Sequence, residues 1–339
     1  MKTSFGDLDI EYANPLGKKT NGFHISPRLQ EIMMLYGEKD CYAEAPEMIQ
    51  QTLGISVSAS QVYRVTDTYG AELKKRDEDK RLLPLLANKE ILYAMFDGSF
   101  IFSREEGWKE VKVGRLFKST DCAKGDDLPA GQAGKRGWIG NSQYMAHLSD
   151  HQTFIGHADK LIESFGPLGN RLVCICDGAT WIRNWIEDSY PNAVFILDFY
   201  HACVYLYEFA NATFDTGAKV KKWVQRQKEL LLEGKLPLVM RNIRNQKSSA
   251  ASTKKIIGYY TANENRMDYK RYLKIGCGII GSGAIESAHR TVVQKRLKLS
   301  GQRWTKNGAQ NMLHLRVTKM NNQWPQVIKL VQTEFKMAA

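Results

Sequence analysis

Residues 171–185, RLVCICDGATWIRNW, set an apolar run of strand character against an acid, a glycine and a segment of helical spacing. The turn pair Asp177-Gly178 closes the run LVCIC, so the chain passes from strand to helix within a few residues. Residues 194–206, VFILDFYHACVYL, repeat the plan, with Asp198 in the place of Asp177. Two strand–acid–helix units in succession predict parallel strands joined by a helical crossover. Upstream, KEILYAMFDGSFIFS (89–103), GWKEVKVGRLFKS (107–119) and SQYMAHLSD (142–150) read as three strands, the second alternating polar and apolar residues. A Gly-rich loop, 123–140, separates the second strand from the third, and 152–166 reads as a helix. The order of three strands, helix, strand, helix, strand predicts an α/β protein with an antiparallel section beside a parallel one.

The flanks have a different character. Residues 1–88 read as a helical unit: Ser26 caps a helix that has Pro27 at its first position, 45–53 forms a second helix stopped by Gly54, and Ser58 with Gln61 forms a capping box ahead of a third. Two short helices joined by a Gly-containing turn also fit a helix-turn-helix, which would put Gln61 and Arg64 toward DNA. A plain helical scaffold has the same pattern. Strand character is lost over 199–275, where GAKVKKWVQRQKELLLEG predicts a basic helix with Trp223 on its core side. Residues 276–339 start with GCGIIGSG and continue as two helical segments. The units are therefore 1–88, a core of 89–198, a helical insertion of 199–275 and a C-terminal helical part of 276–339.

The 339 residues carry 48 Lys and Arg against 36 Asp and Glu, a net charge of +12 that favours a polyanionic partner such as nucleic acid. Six cysteines include no C-x-x-C pair, and Cys174 and Cys176 alternate along one strand, so core thiols are expected rather than zinc sites or disulfides. No apolar run reaches membrane-spanning length and the first residues have no signal-peptide core, which predicts a cytoplasmic protein with no membrane partner.

Three acids stand out by context: Asp97 in AMFDGS, Asp177 in CICDGA and Glu286 in GSGAIESAHR. Each has an ordinary explanation. Asp97-Gly98 suits a hairpin turn, Asp177 suits a turn or helix cap, and Glu286 suits the positive end of a helix. Ligands of sheets with parallel strands gather beyond the carboxyl ends of those strands. Three carboxylates meeting there suit Mg²⁺, with Mn²⁺ as its substitute, and two such ions can activate an attacking oxygen and stabilise a leaving oxygen at a phosphodiester. With the basic charge, this points to a metal-dependent nuclease or strand-transfer enzyme.

DGSFIFSREEGWKEVKVGRLF, the pair CDGATWI and LDFYHA, and NENRMDY with GSGAIES and RLKLSGQRWTKNGAQNMLHLR resemble bacterial insertion-sequence transposases related to the Mutator group. The resemblance covers about residues 20–320. It implies a DDE transposase with an RNase H-like core, metal-binding carboxylates at Asp97, Asp177 and Glu286, and 199–275 as the helical insertion of that group. It implies DNA, both element ends and target, as the partner, with a homo-oligomer on paired ends and a nucleoid-associated location. Asp198 and His201 match the [CD]-x-x-H signature of the group and would help to position DNA or the acids. On the residues alone, Asp198 caps the following helix and His201 packs in its first turn. Arg290, Lys295, Arg296, Lys298, Arg303 and Lys306 follow Glu286 and would track phosphates, with Trp304 placed to stack on a base. Relatives often carry a Cys-rich, zinc-binding segment ahead of the helical unit; this sequence lacks such cysteines, which bears on how element ends would be recognised. The alternatives are a catalytically inactive or repurposed DNA-binding protein and an RNase H-like nuclease that cuts without joining.

Overall fold

The computed structural model describes residues 2–3, 6–7, 20–76, 83–123, 137–148 and 150–333. Most of the Gly-rich loop (124–136) and much of the first twenty residues lie outside the described residues. At the centre is a mixed sheet of β1 (Leu92–Ser103), β2 (Gly107–Lys118), β3 (Gln143–Leu148), β4 (Leu172–Cys176) and β5 (Val194–Leu197), in the order β3-β2-β1-β4-β5. The first three strands pair antiparallel, whereas β4 lies parallel to β1 and β5 parallel to β4. The protein is thus a mixed α/β structure with the antiparallel and parallel sections that the strand order predicts.

Alternation along the strands divides two cores. Leu92, Ala94 and Phe96 of β1 and Leu172, Cys174 and Cys176 of β4 pack toward α4 (His151–Glu163) and α5 (Thr180–Ser189). Tyr93, Met95 and Ile101 of β1, with Val173 and Ile175 of β4, face the other way. There they meet α6 (Phe199–Thr213) and the insertion helices α7 (Gly217–Leu232), α8 (Leu236–Arg244), α9 (Ala250–Asn263) and α10 (Tyr269–Tyr272). The thiols of Cys174 and Cys176 share one face as expected, and burial pushes Cys176 up to about 12. Trp223 packs against this second core and against Phe209 and Phe214. Asp97-Gly98 lies within β1 and pairs across to β2, so the hairpin-turn explanation of Asp97 does not hold; the chain reverses between Ser103 and Gly107.

The N-terminal helices are α1 (Pro27–Lys39), α2 (Ala45–Leu53) and α3 (Ala59–Arg76). Ser26 caps α1 by accepting from Leu29 N, and the Ser58–Gln61 capping box forms with bonds of 2.8 and 3.1 Å. These helices share a core with the far end of the chain. Met33, Ile49, Val65 and Tyr69 pack with Leu315 of α13 (Lys306–Met320) and with Val327, Leu330 and Val331 of α14 (Trp324–Gln332). Gly70 lets α3 and α13 touch, because a Cβ there would lie 2.6 Å from the Asn311 carbonyl oxygen. Helix α13 is buried on every side and closes the sheet edge. Gln310 accepts from Leu148 N at 2.8 Å, and Asn321 both accepts from Tyr144 N and donates to Tyr144 O, occupying backbone groups that an edge strand would otherwise expose.

Candidate acid site

Strand register brings the acids together. Met95 of β1 lies opposite Ile175 of β4, and Cys176 of β4 lies opposite Leu197 of β5. Carrying both registers forward places Asp97, Asp177 and Asp198 side by side across three adjacent parallel strands. Neighbouring strands are about 4.8 Å apart, and alternation directs all three side chains to the α6 face of the sheet. Asp198 N continues the ladder by donating to Cys176 O at 2.8 Å.

Beyond β4 the chain turns at once. Asp177 Oδ1 accepts from Ala179 N at 3.0 Å, and Gly178 has φ +88, a conformation in which a Cβ would meet Leu197 at 3.2 Å. Asp177 is therefore a turn former and not a side-chain cap of α5. The insertion reaches this turn directly: the Tyr259 hydroxyl of α9 donates to the Asp177 carbonyl at 3.1 Å, with its ring stacked on Tyr205.

Glu286 comes from the last part of the chain. It lies in the first turn of α11 (Gly283–Ala288), which runs without a break into a π-helical segment (His289–Gln294) and then α12 (Lys295–Leu297). Ser282 Oγ donates to Glu286 Oε1 at 2.6 Å. Asp198 fixes the entry to this helix. Its buried carboxylate accepts from Tyr200 N and His201 N at 3.1 Å, capping α6, and from Ser282 N at 2.8 Å. Burial pushes the Asp198 carboxyl above the usual carboxylate range, against the lowering effect of these hydrogen bonds. On the far side Arg115 of β2, itself buried, donates to the Ala284 carbonyl at 2.9 Å.

Asp97, Asp177, Asp198, His201 and Glu286 line one cavity of about 210 Å³, together with Tyr200 and Ser282. The three acids singled out in the sequence thus meet, and the two accessory residues join them. Asp198 is a helix cap and also a tie to the acid-bearing helix, a second role that no local pattern displayed. His289 was not foreseen either: it is buried, with Nε2 3.3 Å from Asp97 Oδ2. Its spacing of three from Glu286 on one helix was the available signal.

The donor chemistry fits a hard cation. Asp97, Asp177 and Glu286 offer carboxylate oxygens to a common space, and Mg²⁺ is held by one or two carboxylates with waters and substrate oxygens completing its shell. Among the described residues no three His, Cys, Asp or Glu side chains stand close enough to cage an ion by themselves.

The basic residues separate into two groups. Arg290, Lys295, Lys298, Arg303 and Lys306 are exposed, as is Arg64, while Gln61 is engaged in its capping box. Lys306 also pairs with Glu106 at 3.1 Å. Burial takes Arg296 and Trp304 out of the expected DNA-contacting set. Arg296 is fully buried, donates to Gly37 O at 2.8 Å and lies over the rings of Tyr42 and Trp304. Trp304 donates to Leu297 O and pairs with the end of β1. Among the described residues no helix is long and apolar enough to cross a membrane.

Comparison with known sequences gives two findings. Residues 40–333 match the family model described as Uncharacterised protein family (UPF0236). The UPF0236 protein in vanSb 3'region of Streptococcus gallolyticus is 21% identical over 304 residues, a stretch that covers 87% of this chain and 64% of that relative. The chain thus spans less than two thirds of the length of the curated relative it matches.

Proposed function

The chain belongs to the UPF0236 family, and we propose that it is a DNA transposase with an RNase H-like core and a DDE acid site. The observation that carries this is the meeting of Asp97, Asp177 and Glu286 in one cavity, just beyond the point where the parallel pairing of β1 with β4 ends. The charge supports a DNA substrate: residues 199–275, which touch the site through Tyr259, contain 15 Lys and Arg against 6 Asp and Glu. Exposed Arg290, Lys295 and Lys298, on or just beyond the helix that bears Glu286, extend that basic character beside the cavity.

Asp97 within β1, Asp177 just past the neighbouring β4, and Glu286 on the helix from the last part of the chain would hold Mg²⁺ between them. When bound, the ions supply activation of the attacking oxygen and stabilisation of the leaving oxygen. The strands fix the two aspartates, Asp198 and Arg115 fix the helix carrying Glu286, and the exposed cations hold the phosphate backbone. A phosphodiester in the cavity would be attacked first by water, freeing a 3′-hydroxyl at the element end. That hydroxyl would then attack target DNA in a second in-line displacement, with no covalent bond to the protein.

A strand-transfer assay in Mg²⁺, using DNA that flanks the gene as the source of ends, tests this. Joined product from the wild type and none from Asp177→Ala is the expected result. Binding of DNA by both, with equal background product, would favour a DNA-binding protein without catalysis. Cleavage without joining would favour an RNase H-like nuclease.

A further inference from the structure

His289 is a buried imidazole whose ring nitrogens make no aligned hydrogen bond, although Nε2 stands 3.3 Å from Asp97 Oδ2. Burying a polar group without a partner is costly, so a position that keeps one points to a use for it. The local architecture explains how the ring reaches Asp97. His289 follows Glu286 by three residues, which puts both on one face of the helix, and it begins the π-helical segment, a wider turn frequent at functional sites. Neighbouring Ala288 and Val292 are buried in the core against the sheet, so the helix sets the ring's position.

Asp97 is held on its other side. Its Oδ1 accepts from Gly98 N at 2.7 Å, which leaves the Oδ2 edge to His289. A carboxylate has about four lone-pair sites, so these two contacts leave capacity directed at the cavity. Carboxylates that bind a metal are themselves oriented by hydrogen bonds from outside the ligand set, and losing such a bond weakens metal binding.

We propose that His289 is a positioning residue: with Nε2 3.3 Å from Asp97 Oδ2, a small rotation of its ring lets Nε2–H donate to that oxygen and set the angle at which Asp97 presents itself to a divalent cation. The inference rests on the acid-site reading above. It assigns His289 no proton transfer and no direct ligation.

Mn²⁺ binding to the full chain, followed by loss of the free-ion electron paramagnetic resonance signal, tests it without any DNA. Two variants of similar bulk separate the donor from the packing: His289→Gln keeps an N–H, and His289→Leu fills the space without one. Thermal melting of each checks that the fold is retained. The expected result is Mn²⁺ binding by the wild type, weaker binding by His289→Leu by about 10- to 100-fold, and recovery of most of the loss in His289→Gln. Equal affinity of His289→Leu and the wild type would overturn the inference and leave the acid site standing. So would a loss as large in a folded His289→Gln as in His289→Leu. Absence of Mn²⁺ binding by the wild type would overturn the acid-site reading, and this inference with it.

Discussion

Replacing Asp198 by Ala removes one buried acceptor from three backbone donors at once. Two of them, Tyr200 N and His201 N, belong to the first turn of α6, and loss of a helix cap costs about 0.5–2 kcal/mol. The third, Ser282 N, ties the acid-bearing helix to the end of β5, and stranding a buried donor costs about 1–3 kcal/mol. The sum is offset in part, because burial disfavours the charged carboxylate that the variant no longer carries. A net loss of about 1–4 kcal/mol follows, read as a lower urea midpoint at an unchanged slope. The pH dependence gives a second readout. The folded-state pKa of Asp198 is raised above the ordinary 3.8, so its contribution is fully present below 3.8 and is lost as pH rises through the folded value. Acidification through that window therefore stabilises the wild type relative to Asp198→Asn. A midpoint for Asp198→Ala within error of the wild type, or a wild type that loses stability relative to Asp198→Asn on acidification, would refute the account of Asp198 as a buried carboxylate that joins α6 to the Glu286 helix.

Burial holds His147 at about 4 against an ordinary 6.5, so its contribution is present above 6.5 and lost as pH falls through about 4. The wild type should lose up to about 3 kcal/mol more than His147→Gln across that interval, by melting temperature against pH; parallel curves would contradict this. Gly178→Ala puts a Cβ 3.2 Å from Leu197 at φ +88 and should cost about 1–3 kcal/mol in urea unfolding; an unchanged midpoint would show that the turn relaxes freely. Arg296→Ala should be destabilising by more than about 2 kcal/mol, whereas exposed Lys298→Ala should stay within about 0.5 kcal/mol in the same assay. Conversely, Arg290→Ala and Lys298→Ala should each lower the salt dependence of duplex DNA binding by about 0.9 in log–log slope, and no change would remove those residues from the phosphate contacts.

The sheet was legible because its strands announce themselves. LVCIC and VFIL are short apolar runs, each closed by an acid, and each forms a strand that leads into a helix, α5 or α6, as the sequence predicts. Asp177 and Asp198 were legible for a related reason: a residue just past a buried parallel strand has little freedom in where it points. What stayed hidden depends on contacts far apart in the chain. Nothing local joins Asp198 to Ser282, Arg115 to Ala284 or His289 to Asp97. The basic run after Glu286 misled at Arg296 and Trp304 because a cation over aromatic rings can be buried, and the sequence shows only its charge. Helix α13 hid its role for the opposite reason. Gln310, Asn311, His314 and Arg316 make it look like a surface helix, yet all four are buried, with Gln310 bonded to the sheet edge, Asn311 to Asp67 and Arg316 to Glu38.

In the proposed reaction Asp97, Asp177 and Glu286 act together on a phosphodiester. The most direct measurement is Mg²⁺-dependent cleavage and joining of DNA flanking the gene by the wild type and by Asp97→Asn, Asp177→Asn and Glu286→Gln, with DNA affinity recorded for each. These substitutions keep size and remove charge. Loss of product in all three with DNA affinity retained is the predicted result. Product from any one of them at the wild-type level, or no Mg²⁺-dependent product from a wild type that binds the DNA, would contradict it.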